Sequence, residues 1–411
     1  MYALLSVKQF FRDLRSQKLR TFMTMFGILW GTVSIILLMA FGTGMQEFQQ
    51  KRFKGLGENI CIFWPGVTSK PWNGLPRGRH IRFVSEDATR IREMYPVIKH
   101  ISPEFPRSNV MLKSHKNNLT AQVIGVWPEF HKMRNIIPAA GGRFINDKDM
   151  EKKRRTIFIG DRLAEQLFAG EDPVGQTLQV RGAPFVVVGV MVSKDQNSSY
   201  GGRDNRNAYI ASETFLTMFS RRYPNNMVIQ STNDNNIQEA IDSFKSYMAA
   251  KYNFDPTDTE TLGTWDVTEG FKFITNFFVA FRMFLLCIGC LTLVTAGIGV
   301  TNIMNVVLEE RTKEIGIKMA LGAKKRTIMS QFMFETVLLT CIGGSIGFII
   351  AYAIVMVFPL LNLTEHIGTP TIHVFESVMT ISILGIVAFL SGFFPARRAS
   401  NMEPVKALKL F

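Results

Sequence analysis

The chain has 411 residues, 47% hydrophobic and 19% charged, with a mean hydropathy of +0.11 and a formal charge of +14. That mean conceals two populations: residues 21–46, 283–308, 336–364 and 377–396 contain no Asp, Glu, Lys or Arg, and each run is long enough to cross ~30 Å of hydrocarbon as a helix. A soluble globule and a single-anchor protein are excluded, and with Cys61 alone in the large polar segment no disulfide can form within it.

Ahead of the first run, Leu4, Val7, Phe11 and Leu14 follow helical spacing while Lys8, Arg12, Arg15 and Lys18 take the other side. Residues 1–20 read as an amphipathic helix on the inner leaflet, or equally as a plain basic flank. No cleavage site follows the apolar core of residues 21–46, so it is read as a span rather than a signal peptide. Residues 1–20 carry five Lys or Arg, 309–326 six and 397–411 four, whereas 365–376 carry none. Short basic loops mark the cytoplasmic side. Both termini and 309–326 are therefore expected inside, and 47–275 outside. The positive charge thus reports topology rather than nucleic-acid binding. Lys152-Lys153-Arg154-Arg155 reads as a solvated face, because long translocated segments escape the rule.

Within the outer segment the first helix is expected to continue through 46–53, and the apolar stretch 59–64, closed by Pro65-Gly66, reads as a strand. Ser85-Glu86-Asp87 opens a capped helix carrying Ala88, Ile91 and Met94. Residues 120–126 and 184–191 are β-branched and apolar, 161–168 and 237–251 have helical periodicity, and 195–207 is a Gly, Asn, Ser and Asp-rich loop. The expected fold is a four-span α-helical membrane protein with a large two-lobed α+β extracytoplasmic domain between the first and second spans. The later spans are expected at 276–308, 327–358 and 377–396, separated by a cytoplasmic loop at 309–326 and a short outer loop at 359–376.

Several chemical motifs are disarmed by their location. Gly343-Gly344-Ser345-Ile346-Gly347 matches GxSxG but lies within an apolar run, where a strand-to-helix elbow cannot form. Gly343 with Gly347, and Gly27 with Gly31, instead give the GxxxG spacing that lets helices approach closely. Cys287 and Cys290 are likewise intramembrane, and the six histidines form no HExxH. No GxxxxGK[ST] occurs, so no phosphate cradle of that kind, no catalytic residue, no metal and no cofactor is expected on the chain. The span cores lack the charges of ion-coupled transport. Arg282 and Glu335 lie at span ends, where snorkelling and headgroup-level water are expected to satisfy them.

The loop EERTKEIGIKMALGAKKR carries more information. Glu310 and Glu314 stand one helical turn apart, Ile315 and Met319 repeat that spacing on an adjacent face, and Gly322 is a natural helix stop. Such a helix suits docking to a cytoplasmic protein, or serves as a lipid-facing connector.

The run ERTKEIGIKMALGAKK, with QFMFETVLLTCIGGSIGF and FFPARRASNMEPVKALK downstream, resembles the membrane subunits of MacB-like ABC transporters, the group that includes the lipoprotein-release and FtsX permeases. KLRTFMTMFGILWG, AFGTG, VIGVWPEF, GGRF, FIGDRLAEQLF, GQTLQV and PFVVVGVM extend the likeness over nearly the whole chain. It implies a permease dimer, of two copies or of paralogues, in the cell inner membrane. Two ABC ATPase subunits would drive it, with ATP and Mg bound there and the ATPase expected on a separate polypeptide. Residues 310–323 then correspond to the coupling helix, with Glu310, Arg311, Glu314, Ile315 and Gly316 in its first half. Met319, Ala320, Leu321, Gly322 and Ala323 form the second half. The implied function is mechanotransmission: ATP-driven closure of the ATPase moves the outer domain, exporting peptides, macrolide-like drugs or other amphiphiles through a periplasmic adaptor and an outer-membrane channel. The alternative is an FtsX-like signal transmitter controlling an extracytoplasmic partner such as a cell-wall hydrolase.

Overall fold

The structure, a computed structural model, describes residues 18–196, 199–361 and 363–403. The amphipathic segment expected over residues 1–20 lies outside the described residues except for Lys18–Arg20, which open the first helix, and residues 404–411 of the tail lie outside as well. Two compact units form: one from the described residues up to Gln49 and from Thr275 on, the other from Gln50–Ile274.

The first unit contains four helices long and apolar enough to span a membrane: Lys18–Lys54, Val267–Glu310, Lys325–Val357 and Val374–Ser400. All four begin ahead of their charge-free runs, and all but the third also run beyond them, because a helix persists into polar flanks wherever no Gly or Pro stops it; the third ends at Val357, ahead of Pro359. The second helix accordingly begins at Val267 rather than 276, and the first reaches Lys54. The unit boundary thus falls inside each of these two helices.

Small residues set the helix spacing. A Cβ on Gly347 would stand 2.9 Å from the Leu29 carbonyl oxygen, and one on Gly343 3.2 Å from Ile28 Cγ2. Gly31 faces Leu293, whose Cδ2 would be 2.8 Å away, and Gly27 faces Ala296 with room for a methyl at 3.8 Å. The two glycine pairs therefore seat the first helix against the third and the second respectively. At the start of the fourth helix, the buried Glu376 accepts from the His373 N–H at 3.1 Å and from the Thr43 hydroxyl. One carboxylate thereby caps that helix and ties it to the first.

The second unit is built on nine strands: β1 Ile60–Pro65, β2 Ile98–Lys113, β3 Asn118–Val126, β4 Thr156–Ile159, β5 Thr177–Val180, β6 Ala183–Val190, β7 Asn207–Ala211, β8 Asn226–Ser231 and β9 Leu262–Asp266. β2 belongs to two arrangements. Its first half pairs antiparallel with β8, followed by β1 and β9, and the helices Ser85–Met94 and Ile237–Tyr252 cover this sheet through a core containing Phe63, Phe83, Ile91, Ile101 and Phe244. Its second half pairs with both β3 and β5, closing the order β3-β7-β4-β6-β5-β2 into a ring around Phe105, Ile157, Leu178, Phe185 and Phe215. The two expected lobes therefore share one long strand. The change of partner is abrupt: Glu104 pairs with Asn226 of β8, and the next residue, Phe105, pairs with Gly125 of β3.

Candidate functional site

The loop between the second and third spans folds as a short helix, Thr312–Ala320, separated from the second helix by a single turn residue, Arg311. Its end has the hydrogen bonds of a Schellman motif: Ala323 N–H donates to Lys318 O and Gly322 N–H to Met319 O, both at 3.0 Å, with Gly322 at φ +96°. A residue with a Cβ is strained at that φ, which accounts for glycine there.

Burial sorts the residues of this helix. Ile315 is 3% exposed and packs with Ile28, Met304, Leu308, Ile328 and Phe332, while Met319 and Ala323 lie against the same cluster. Ile315 and Met319 were expected to anchor a partner; they anchor the helix to its own bundle instead, because the apolar stripe of a surface helix turns toward the nearest core. Gly316 is buried as well. The outward side carries Lys313, Ile317 and Ala320, with Leu321 beside them; Ile317 is 45% exposed and Leu321 83%. Sequence periodicity missed Ile317, since nothing in the alternation distinguishes it from Ile315.

Charge is arranged with the same division. Glu314 is partly exposed and bonds Lys318 one turn on at 2.8 Å, a pair open to screening. Arg311 points the other way. Its Nη1 lies 3.2 Å from both carboxylate oxygens of Glu335 on the third span, and Gln331 Nε2 donates to the same carboxylate at 3.3 Å. Glu335 is 5% exposed. Headgroup-level water was expected to satisfy it, but the arginine at the helix junction does so, because a buried carboxylate demands a charged partner. Arg282, expected to snorkel, donates to Gln46. Glu310 is exposed at the end of the second helix.

A second concentration of charge lies in the Gln50–Ile274 unit, and no motif announced it. Arg134, Asp204 and Glu104 are all within 3% of full burial. Arg134 Nη2 donates to Asp204 Oδ1 at 2.8 Å, Lys194 Nζ sits 2.8 Å from Asp204 Oδ2, and the Tyr209 hydroxyl donates to Oδ1 at 3.0 Å. Burial pushes the Asp204 carboxyl up, but Arg134 and Lys194 prevail and hold it below the usual range. Burial lowers Lys194. Glu104, at the crossing point of β2, accepts from the Tyr200 hydroxyl and from Asn226 Nδ2 at 2.6 Å; burial still raises it above the usual carboxylate range. These side chains come from β2, β7, β8, a tight turn near 134 and the stretch 194–204, so their meeting is a product of folding alone. No group of three or more His, Cys, Asp or Glu suited to a metal occurs among the described residues.

Residues 21–247 match the family model described as MacB-like periplasmic core domain, and residues 286–404 match FtsX-like permease C-terminal. The macrolide export ATP-binding/permease protein MacB of Bdellovibrio bacteriovorus is 28% identical over 403 residues, covering 98% of this chain and 61% of the relative. The pyoverdine export ATP-binding/permease protein PvdT of Pseudomonas putida is 29% identical over 409 residues, with coverages of 98% and 59%. The chain therefore spans about 60% of the length of the curated relatives it matches. Among solved structures, the periplasmic region of MacB from Actinobacillus actinomycetemcomitans aligns with a TM-score of 0.43 at 18% identity, over 55% of this chain and 97% of that one.

Proposed function

The chain belongs to the MacB-like, FtsX-type family of ABC transporter permeases, and we propose that it couples ATP hydrolysis by an ABC ATPase to movement of its Gln50–Ile274 domain outside the cell inner membrane. Both termini and the Thr312–Ala320 helix face the cytoplasm in this reading, in keeping with the basic residues there. The carrying observation is the division of labour in that helix: Ile315 and Arg311 hold it to the bundle, leaving Ile317 and Leu321 exposed. An apolar pair rimmed by Lys313 and Lys324 suits a modest protein interface. The anchored side would then transmit a push from the ATPase into the second and third spans. The second helix, like the first, runs on without a break past the unit boundary toward the outer domain, as mechanotransmission requires.

The exported material is proposed to be peptides, macrolide-like drugs or other amphiphiles, leaving by way of an adaptor and an outer-membrane channel; the names of the export relatives support that class. The test is co-purification. Ile317→Glu with Leu321→Glu should abolish recovery of the ATPase in mild detergent while the chain remains inserted, and export-dependent resistance should fall to the level of a deletion. Normal recovery and resistance would refute the docking face.

A further inference from the structure

The second helix, Val267–Glu310, is held to its bundle on one side by Leu293, Val300, Met304 and Leu308, all buried. Its opposite side is open. From Phe284 through Ile288, Leu291, Thr295 and Ile298 to Asn302, exposed residues recur at alternating steps of four and three, the spacing of a coiled-coil seam, and Asn305 takes the next place. Phe284, Leu291 and Ile298 are each more than half exposed. The stretch carries no Asp, Glu, Lys or Arg, so the seam faces hydrocarbon. Its polar members differ in how they are satisfied. Thr295 donates its hydroxyl to Leu291 O one turn back at 2.9 Å. The amides of Asn302 and Asn305, by contrast, have no hydrogen-bond partner among the described residues. A side-chain amide brings two donors and an acceptor, and acyl chains satisfy neither. Asn302 is the deeper of the two, seven residues or about 10 Å of rise before Glu309, where charge returns. Its short side chain cannot snorkel that distance.

We propose that this seam is where two copies of the chain meet, with the Asn302 amides paired across a twofold axis. Copies inserted in the same direction carry parallel second helices, so each Asn302 finds an identical amide at its own depth and donates to the other's carbonyl oxygen. Lipid offers no donor and acceptor at that level. The seam also has room to receive a helix: Ile288, Leu291 and Thr295 form one wall of a groove of about 490 Å³ whose other wall is Met23 and Trp30 of the first helix. Apolar packing alone gives helices little reason to associate in lipid, so the amide pair fixes partner and register. The likeness to MacB-type permeases implies a dimer and leaves its face open; the seam supplies that face, and it shares no residue with the ATPase-docking pair Ile317 and Leu321.

The test uses the full chain in lipid vesicles. A cysteine-free version labelled at Lys153→Cys with donor or acceptor dye gives a dimerisation constant from energy transfer as the protein-to-lipid ratio is varied. Asn302→Leu, which keeps the seam apolar, should weaken that constant about tenfold, the scale of an interhelical hydrogen-bonded pair in hydrocarbon. Asn302→Gln retains donor and acceptor and should stay within about threefold of the parent. Phe389→Leu, at an exposed position of the fourth helix, should leave the constant unchanged. So should Ile317→Glu with Leu321→Glu, which separates this outcome from the fate of ATPase docking. A second measurement does not depend on the amide: on oxidation of the otherwise cysteine-free chain, Ile298→Cys should give a disulfide-linked dimer and Phe389→Cys should not. A dimer unmoved by Asn302→Leu, equal cross-linking of the two cysteine variants, or a monomer at every protein-to-lipid ratio would each overturn the proposal.

Discussion

Breaking the Arg311–Glu335 pair should separate what holds the loop helix from what that helix contacts. At 3.2 Å and an effective dielectric of about 20, the attraction is ~5 kcal/mol. Desolvation offsets most of it, since the side chains are only 16% and 7% exposed. The intact pair is therefore worth little against an apolar replacement, but a widowed charge is expensive. Glu335→Leu takes from Arg311 the carboxylate that it meets in the bundle and should cost about 2–4 kcal/mol, below the ~3–5 kcal/mol of a fully buried pair because Arg311 retains a path to water. Arg311→Met should cost a similar amount, while the double variant Arg311→Met/Glu335→Leu should return to within about 1 kcal/mol of the parent. Equilibrium unfolding of the purified chain in mixed micelles measures all three. In the same preparations, ATPase recovery should fall in the single variants and return in the double one, because the helix is reseated by packing on Ile315. Additive costs, with a coupling energy below about 0.5 kcal/mol, would show that the pair bears no load and that the anchoring argument is wrong.

Four further outcomes follow from the geometry. Gly347→Val forces side-chain atoms into the Leu29 carbonyl and should destabilise the bundle by about 1–3 kcal/mol, whereas Gly27→Ala, with 3.8 Å of room, should be close to neutral in the same unfolding assay. Gly322→Ala should cost about 1 kcal/mol through its positive φ and loosen the helix end, read as faster amide exchange at residues 318–323. Because Asp204 has its folded-state pKa lowered, its stabilising contribution is complete above the unfolded carboxyl pKa near 4 and is lost as pH falls through the folded value; Glu104, raised by burial, acts oppositely and penalises the fold above its own pKa. Thermal unfolding of the outer domain should therefore improve slightly on mild acidification and then collapse below about pH 4, and Glu104→Gln should remove the improvement. Finally, in a cysteine-free background Lys153→Cys should react with an impermeant maleimide applied to the outer face and Lys325→Cys should not; reversed labelling would overturn the proposed orientation.

Much of the architecture was legible in the residues themselves. Four charge-free runs dictate four long helices, because an unsatisfied backbone cannot cross hydrocarbon, and this requirement is local to each segment. Strands such as β1 and β6, and the helices 161–168 and 237–252, also follow from short-range periodicity. Gly322 announced the end of the loop helix for the same reason, since a left-handed cap is a property of one residue. Tertiary structure decided whatever depends on direction or on a distant partner. Periodicity placed Ile315 and Ile317 on one short helix, but only the position of Ile28, Leu308 and Phe332 determines which of them is anchor and which is exposed face. Glu335 looked like a span-end carboxylate until the chain reversal brought Arg311 beside it. The buried charge cluster of the outer domain is the extreme case. Glu104, Arg134, Asp204 and Tyr200 are separated by up to a hundred residues of strand, turn and loop. They converge because β2 changes partners between Glu104 and Phe105, and that exchange is a long-range pairing that no local signal encodes.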